Sequence, residues 1–319
     1  MNCPICHSSK CTDKYNLYDD RYGYPGVFQL STCSDCHHGW LKHDFDSCDI
    51  RRLYTDYYPR AVISTEHFMP YQEESRIISW LRGTPGRAYY WVPKNVRVLD
   101  IGSGFGESIA YHKRRGCEAY GVEADENIKN VIEHYNLNIS IGNFNVENYQ
   151  KDYFDYITLD QVVEHFINPV KTLTEIGSLL KPDGYIVIST PNVRSWGASI
   201  FGSKWINWHV PYHLNFFSKK SMRLVADKAN LTLNKIYTIT PSDWLQYQWF
   251  HLLMMPLQGK PSRFWINKNN LTSSEINIRK ILNLIHNLKI NHIVTRLFDF
   301  FGFGDNSLYI LSRPPRSKG

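Results

Sequence analysis

Four cysteines near the amino terminus have the type and spacing for metal chemistry. Cys3-Pro4-Ile5-Cys6 and Cys33-Ser34-Asp35-Cys36 are two Cys-x-x-Cys pairs with 26 residues between them. Each pair fits a tight turn, and two such turns can present four thiolates to one tetrahedral Zn²⁺. A complete thiolate set leaves no position for water, so the expected zinc is structural. His7, His37 and His38 could each replace a thiolate, but four cysteines already complete the set. The intervening residues Tyr15 to Thr32 alternate polar and apolar around Gly23-Tyr24-Pro25-Gly26, which predicts a hairpin clamped at its base. A segment of about 40 residues buries too little apolar area to fold securely alone, and metal coordination makes up the deficit. Cys11, Cys48 and Cys117 read as packing or surface residues.

A second group of residues could handle protons. Glu164-His165 follows Asp160-Gln161, and an unperturbed imidazole titrates near neutrality, so His165 with Glu164 can serve as a general base or acceptor-binding pair. Glu and His opening a helix can equally cap neighbouring backbone. Further on, Trp205-Ile206-Asn207-Trp208-His209-Val210-Pro211-Tyr212-His213 interleaves aromatic rings with two histidines. Rings stack on apolar faces of a sugar or aromatic substrate while imidazoles meet hydroxyls. His213 is the stronger candidate there, with a loop-fixing core role as its competitor. Tyr71, in an amphipathic stretch from Pro70 to Leu81, could close over a cofactor or simply pack.

These groups need a scaffold, and the sequence supplies one. Val96 to Ile101 reads as a strand that opens into Gly102-Ser103-Gly104-Phe105-Gly106 and then a helical pattern from Glu107 to Arg115. Glycines permit positive φ and let a ligand press against the backbone. A second strand, Glu118 to Val122, ends at Glu123, about 20 residues past the glycines, where a carboxylate can accept ribose hydroxyls. Asp155 to Leu159 forms a fourth strand, and Leu179 to Gly184 leads into a fifth. Ser218 caps a helix from Lys219 to Ala229, Leu231 to Ile239 reads as a sixth strand, and Ser307 to Ser312 as the last.

This motif order over residues 96 to 240 resembles the class I S-adenosylmethionine-dependent methyltransferases. The amino-terminal segment resembles a zinc ribbon. The resemblance implies an α/β fold with a Rossmann-like seven-stranded sheet, and S-adenosyl-L-methionine as cofactor. Asp100 with Gly102, Gly104 and Gly106 would hold its amino-acid portion, Glu123 its ribose, Asn143 and Phe144 its adenine, and Asp160 with Gln161 would close the pocket. A nicotinamide enzyme would instead require Gly-x-Gly-x-x-Gly, which this turn lacks. Ubiquinone-pathway and small-RNA O-methyltransferases carry Glu-x-x-Glu-His and bind a divalent cation at a similar stretch; here Gln161 stands in place of the first Glu. The His213-Leu214-Asn215-Phe216-Phe217-Ser218 string is similar to methyltransferases encoded with polysaccharide-assembly enzymes. The zinc ribbon joined to this core resembles sugar C-methyltransferases, without their long carboxyl-terminal domain.

Organisation and partners follow. The expected units are a zinc-binding ribbon at 1–50, a helical linker or lid at 51–95, the core at 96–240, a basic helical insertion at 241–306 and a final strand with tail at 307–319. The chain has 319 residues, 43% hydrophobic and 21% charged, proportions of a folded globular protein. No run of about 18 uncharged apolar residues occurs, and no secretory leader pattern opens the chain, so a cytosolic protein is expected. From Leu257 onward ten basic residues face Glu275, Asp299 and Asp305, a surplus of +7 within a total of +6. Trp244 to Leu257 and Ile276 to Phe301 read as two helices, which could lie on an anionic membrane, pack on the core or form a dimer face. The favoured acceptor is a hydroxyl or carbon of a nucleotide-linked sugar, lipid-linked saccharide or related cell-surface precursor. An RNA base methyltransferase is the runner-up, weakened because residues 1–40 are not basic and no Asn-Pro-Pro-Tyr motif is present. A non-catalytic zinc-dependent interaction protein is the third reading.

Overall fold

The computed structural model describes residues 2–42, 45, 49, 52–58, 68–266 and 271–315, apart from the side chain of Thr55. Cys48 lies outside the described residues. In chain order the strands are β1 (Cys11–Leu17), β2 (Phe28–Cys33), β3 (Gly39–Lys42), β4 (Arg97–Ile101), β5 (Glu118–Glu123), β6 (Ile139–Ile141), β7 (Phe154–Asp160), β8 (Leu180–Pro191), β9 (Asn215–Phe216), β10 (Thr232–Thr238) and β11 (Asn306–Ser312). The α-helices are α1 (Arg76–Arg82), α2 (Glu107–Arg114), α3 (Lys129–Tyr135), α4 (Pro169–Leu179), α5 (Trp196–Ile200), α6 (Lys219–Lys228), α7 (Asp243–Leu253), α8 (Ser273–Asn287) and α9 (Ile290–Phe300).

Seven strands form one sheet in the order β10-β11-β8-β7-β4-β5-β6, with β11 alone antiparallel to its neighbours. Central strands of such a sheet are covered on both faces, which is why Val98, Leu99, Ile157, Thr158 and Leu159 are all fully buried. The strand order reverses beside β4, so β5 leaves to one side and β7 to the other. That reversal opens a crevice at the carboxyl ends of β4, β5 and β7. Helix α6 starts where expected: Ser218 Oγ accepts from Ser221 N at 3.0 Å while Ser221 Oγ accepts from Ser218 N at 2.9 Å.

The amino-terminal segment forms the expected hairpin of β1 and β2, and β3 pairs with β2. Its sheet does not stop there. Strand β9, from the aromatic segment after β8, adds antiparallel to β3 through Gly39↔Phe216 and Trp40↔Asn215. Cys3, Ile5, Cys33, Cys36 and Trp40 belong to the same apolar cluster as Leu99, Ile157 and Phe217. The hairpin turn is held by Asp19, whose carboxylate accepts from the backbone N–H of Arg21, Tyr22 and Tyr24 at 2.8 to 2.9 Å.

Two helical expectations need correction. The stretch from Pro70 becomes helical only at Arg76, where the Ser75 hydroxyl caps Ile78 N. Ile276 to Phe301 is not one helix: it breaks into α8 and α9 at Lys289, which adopts φ of 66°. No glycine or proline marks that break. It is fixed by tertiary contacts of α9, where Arg296 pairs with Asp299 at 2.7 Å and donates to Trp80 O at 2.7 Å, and Asp299 Oδ2 accepts from Thr240 N at 2.9 Å.

Candidate active site

The turn after β4 places three glycines at positive φ, 72° at Gly102, 55° at Gly104 and 86° at Gly106. Their environments differ. A Cβ on Gly102 would lie 2.5 Å from Val162 Cγ2 and one on Gly106 2.7 Å from Leu137 Cδ1, so packing dictates both. At Gly104 nothing lies within 4 Å of the Cβ position, which leaves open space against the backbone for a ligand. The Gly104 N–H donates to Glu123 Oε2 at 2.9 Å, and Asp125 N donates to Oε1 at 3.0 Å. Burial raises the Glu123 carboxyl, opposed by those backbone donors.

Asp100 sits at the base of this turn with both oxygens engaged. Thr158 Oγ1 donates to Oδ1 at 2.6 Å and Ser108 Oγ donates to Oδ2, so the carboxyl ties β4 to β7 and α2. Burial pushes it up to about 7. Asn143 is exposed after β6, and the Phe144 ring lies 5.9 Å from that of Tyr149 at an interplanar angle of 17°. Asp160, at the end of β7, lies 3.8 Å from Arg87 Nη1, while its Oδ1 is buried with no hydrogen-bond partner among the described residues. Gln161 is turned onto the sheet: its amide donates to Ser189 Oγ at 2.8 Å and Asn306 Oδ1 at 3.1 Å. Tyr71 stacks on Tyr89 at 4.1 Å, within electrostatic reach of Arg87 and Asp160.

The chain after β7 makes one helical turn, Val163–His165, which places Glu164 and His165 just past the carboxyl end of that strand. His213 arrives from the segment before β9. Ligating atoms of Glu164, His165 and His213 lie within 4.8 Å of one another, and His213 Nε2 is 3.9 Å from Glu164 Oε1. Glu164 is fully buried. Its Oε2 accepts from Thr190 Oγ1 at 2.9 Å, and its Oε1 has no hydrogen-bond partner among the described residues. Burial pushes this carboxyl up to about 8.

Both imidazoles have a fixed tautomer. His213 Nδ1 meets Asn207 O at 2.9 Å and His165 Nδ1 meets Tyr212 O at 2.9 Å. A carbonyl only accepts, so each Nδ1 carries the hydrogen and each Nε2 keeps its lone pair. Burial brings His165 down to about 4 and His213 well below its ordinary value. The expectation of an imidazole titrating near neutrality is therefore corrected: both rings are neutral, and Glu164 is the group poised near pH 8. His209 is buried among Tyr22, Tyr212 and His213, with ring centroids at 5.6, 4.8 and 4.9 Å.

The sequence did not single out Tyr54, Thr190 or Arg87. Tyr54 lies on one wide helical turn, Leu53–Tyr57, and its hydroxyl is 3.0 Å from His165 Nδ1. The repeated tyrosines at 54, 57 and 58 were its one visible signal, without helical spacing to place them. The four cysteine sulfurs also converge within 4.8 Å, with Cys3 to Cys36 and Cys6 to Cys33 at 3.5 Å. This cluster is joined to the site by backbone: Leu41 N donates to Leu214 O at 3.0 Å, and Leu214 N donates to Glu164 O at 2.9 Å.

A family model described as a methyltransferase domain matches residues 54–236, more than half the chain. The chain belongs to the methyltransferase-domain family. With its seven-stranded sheet it carries a class I S-adenosylmethionine-dependent methyltransferase domain. Among curated relatives, a ubiquinone biosynthesis O-methyltransferase of Cereibacter sphaeroides is 33% identical over 134 residues, covering 40% of this chain and 54% of the relative. One of Coxiella burnetii is 32% identical over 124 residues, covering 35% and 52%. The chain thus spans about half the length of the curated relatives it matches. A SAM-dependent methyltransferase structure from Archaeoglobus fulgidus is 19% identical, covers 75% of this chain and 90% of that one, and has a TM-score of 0.42.

Proposed function

We propose that the protein transfers a methyl group from S-adenosylmethionine to a hydroxyl or carbon of a nucleotide-linked sugar, lipid-linked saccharide or related cell-surface precursor. The observation that carries this reading is the convergence of Glu164, His165 and His213 at the carboxyl end of β7, beside β4 and its Gly104 turn. Methyl transfer from a sulfonium is an in-line displacement, so the enzyme must align donor and acceptor and take the acceptor's proton. Gly104 and Glu123 hold the donor. Glu164 Oε1, buried and without a hydrogen-bond partner among the described residues, takes the proton in its ionised form, which burial makes strongly basic and which becomes populated as the pH approaches 8. The reacting hydroxyl's one hydrogen goes to Glu164, so the Nε2 lone pairs of His165 and His213 accept from neighbouring hydroxyls of the acceptor, and the aromatic segment from Trp205 to Tyr212 flanks it.

The same donor set suits a divalent cation: one orphaned carboxylate oxygen and two imidazoles whose Nδ1–H groups are tied to carbonyls. Glu164, His165 and His213 would hold it, and when bound it would stabilise an acceptor alkoxide. The Cys3, Cys6, Cys33 and Cys36 cluster fits Zn²⁺. Zn–S bonds of about 2.3 Å set tetrahedral sulfurs about 3.8 Å apart, near the 3.5 Å separations found here.

Incubating the protein with methyl-labelled S-adenosylmethionine and extracts of nucleotide sugars and glycolipids tests the reading. A labelled saccharide whose mass is raised by one methylene supports it. Label confined to RNA, or to no acceptor, contradicts it.

A further inference from the structure

Helix α9 is folded with its apolar side outward. Ile290, Ile293, Leu297 and Phe300 recur at three- and four-residue steps and are 45 to 83% exposed, while Asn291, His292, Thr295 and Arg296 are buried. The buried polar side is fixed by its own bonds. Thr295 Oγ1 donates to Asn291 O at 3.0 Å, and Arg296 reaches both Asp299 and Trp80 O. The helix therefore cannot roll to hide its stripe. Helix α8 packs against α9 and adds Ile281 and Leu284, with Leu288 at its carboxyl cap, each more than half exposed, and none of the helix's side chains is buried. Phe301 and Phe303, directly after α9, are also more than half exposed. Contiguous exposed apolar area of this kind marks a surface that something covers.

Charge decides what covers it. Glu275 is paired with Arg263 and Asp299 with Arg296, which leaves Arg279, Lys280 and Lys289 on the hairpin without an ion pair among the described residues. A second copy docking by two-fold symmetry would set this cationic surface against itself. An anionic lipid surface satisfies both features: apolar side chains enter the headgroup boundary while lysine and arginine meet phosphates. We propose that the α8–α9 hairpin seats the protein on an anionic phospholipid bilayer. The described helices are too short or too polar to cross a membrane, so the hairpin lies on the surface. This inference does not depend on the methyl-transfer reading.

Flotation of the full chain with vesicles of phosphatidylcholine, alone or with about one-third phosphatidylglycerol, tests it. The expected result is binding to the anionic vesicles at least about tenfold tighter than to neutral ones. Leu297→Ser with Phe300→Ser, at exposed positions, should weaken it about tenfold with an unchanged melting temperature. Arg279→Gln with Lys280→Gln should weaken it more than about tenfold and flatten its salt dependence. Three results overturn the proposal: no vesicle binding, equal binding to both vesicle types, or a dimer by light scattering that Phe300→Ser dissolves.

Discussion

The backbone N–H of Gly104 donates to Glu123 Oε2 at 2.9 Å, so the glycine turn after β4 and the carboxylate ending β5 are one unit. In the reading proposed above donor recognition concentrates here, because the open face of Gly104 meets a carboxylate placed to accept ribose hydroxyls. Glu123→Gln keeps the size of the side chain but removes the charge proposed to grip two hydroxyls. Its affinity for S-adenosylhomocysteine should fall about tenfold or more, and Gly104→Arg, which fills the open space, should abolish binding. Calorimetry reads both; undiminished affinity in Glu123→Gln would remove that residue from the donor site.

His165 and the donor pocket should separate cleanly. His165→Ala leaves the Gly104 turn intact, so S-adenosylhomocysteine binding should be spared while turnover falls by about 10². Equal losses in both would make His165 a structural residue.

How much of this was legible beforehand depended on how local each signal was. The strand, glycine turn and helix around Asp100 to Glu107, and the two Cys-x-x-Cys pairs, are carried by short contiguous runs whose physics is complete within them. The approach of His213 to Glu164, and the pairing of β9 with β3, join segments about 50 and about 175 residues apart, and no local pattern encodes them. The neutral state of His165 follows from burial beneath Tyr54 and Tyr212, which spacing could not reveal. The break at Lys289 has no breaker residue and is imposed by Arg296 and Asp299.

Stability should carry the signature of Asp100. Its carboxyl, raised to about 7 by burial, keeps its proton in the native protein, whereas the unfolded chain releases it near pH 3.9 on the order of model peptides. The native state thus binds more protons across that interval. The contribution is complete below about pH 4 and is lost as the pH rises toward 7. Asp100→Asn has no such slope, so its stability relative to the wild type should rise between about pH 5 and about pH 8 in urea titrations. An offset that does not change with pH would contradict the assignment.

Metal removal should be felt beyond the cysteines. Ser218 Oγ donates to Cys36 O at 2.7 Å, and β3 carries β9. Chelation, or Cys6→Ser, is expected to release one zinc per chain and to speed amide exchange in Gly39–Lys42 and in Leu214–Phe216 together. Binding of S-adenosylhomocysteine, on the far strands β4 and β5, should persist. Exchange that quickens only before residue 43 would uncouple the two regions.

The central claim is that the crevice above β4 takes an adenosyl sulfonium donor, and titration calorimetry of the wild-type chain with S-adenosylhomocysteine, repeated in the presence of NAD, tests it most directly. The account predicts one site per chain with affinity unaffected by NAD. Absence of heat at high protein concentration, or displacement by NAD, would contradict it.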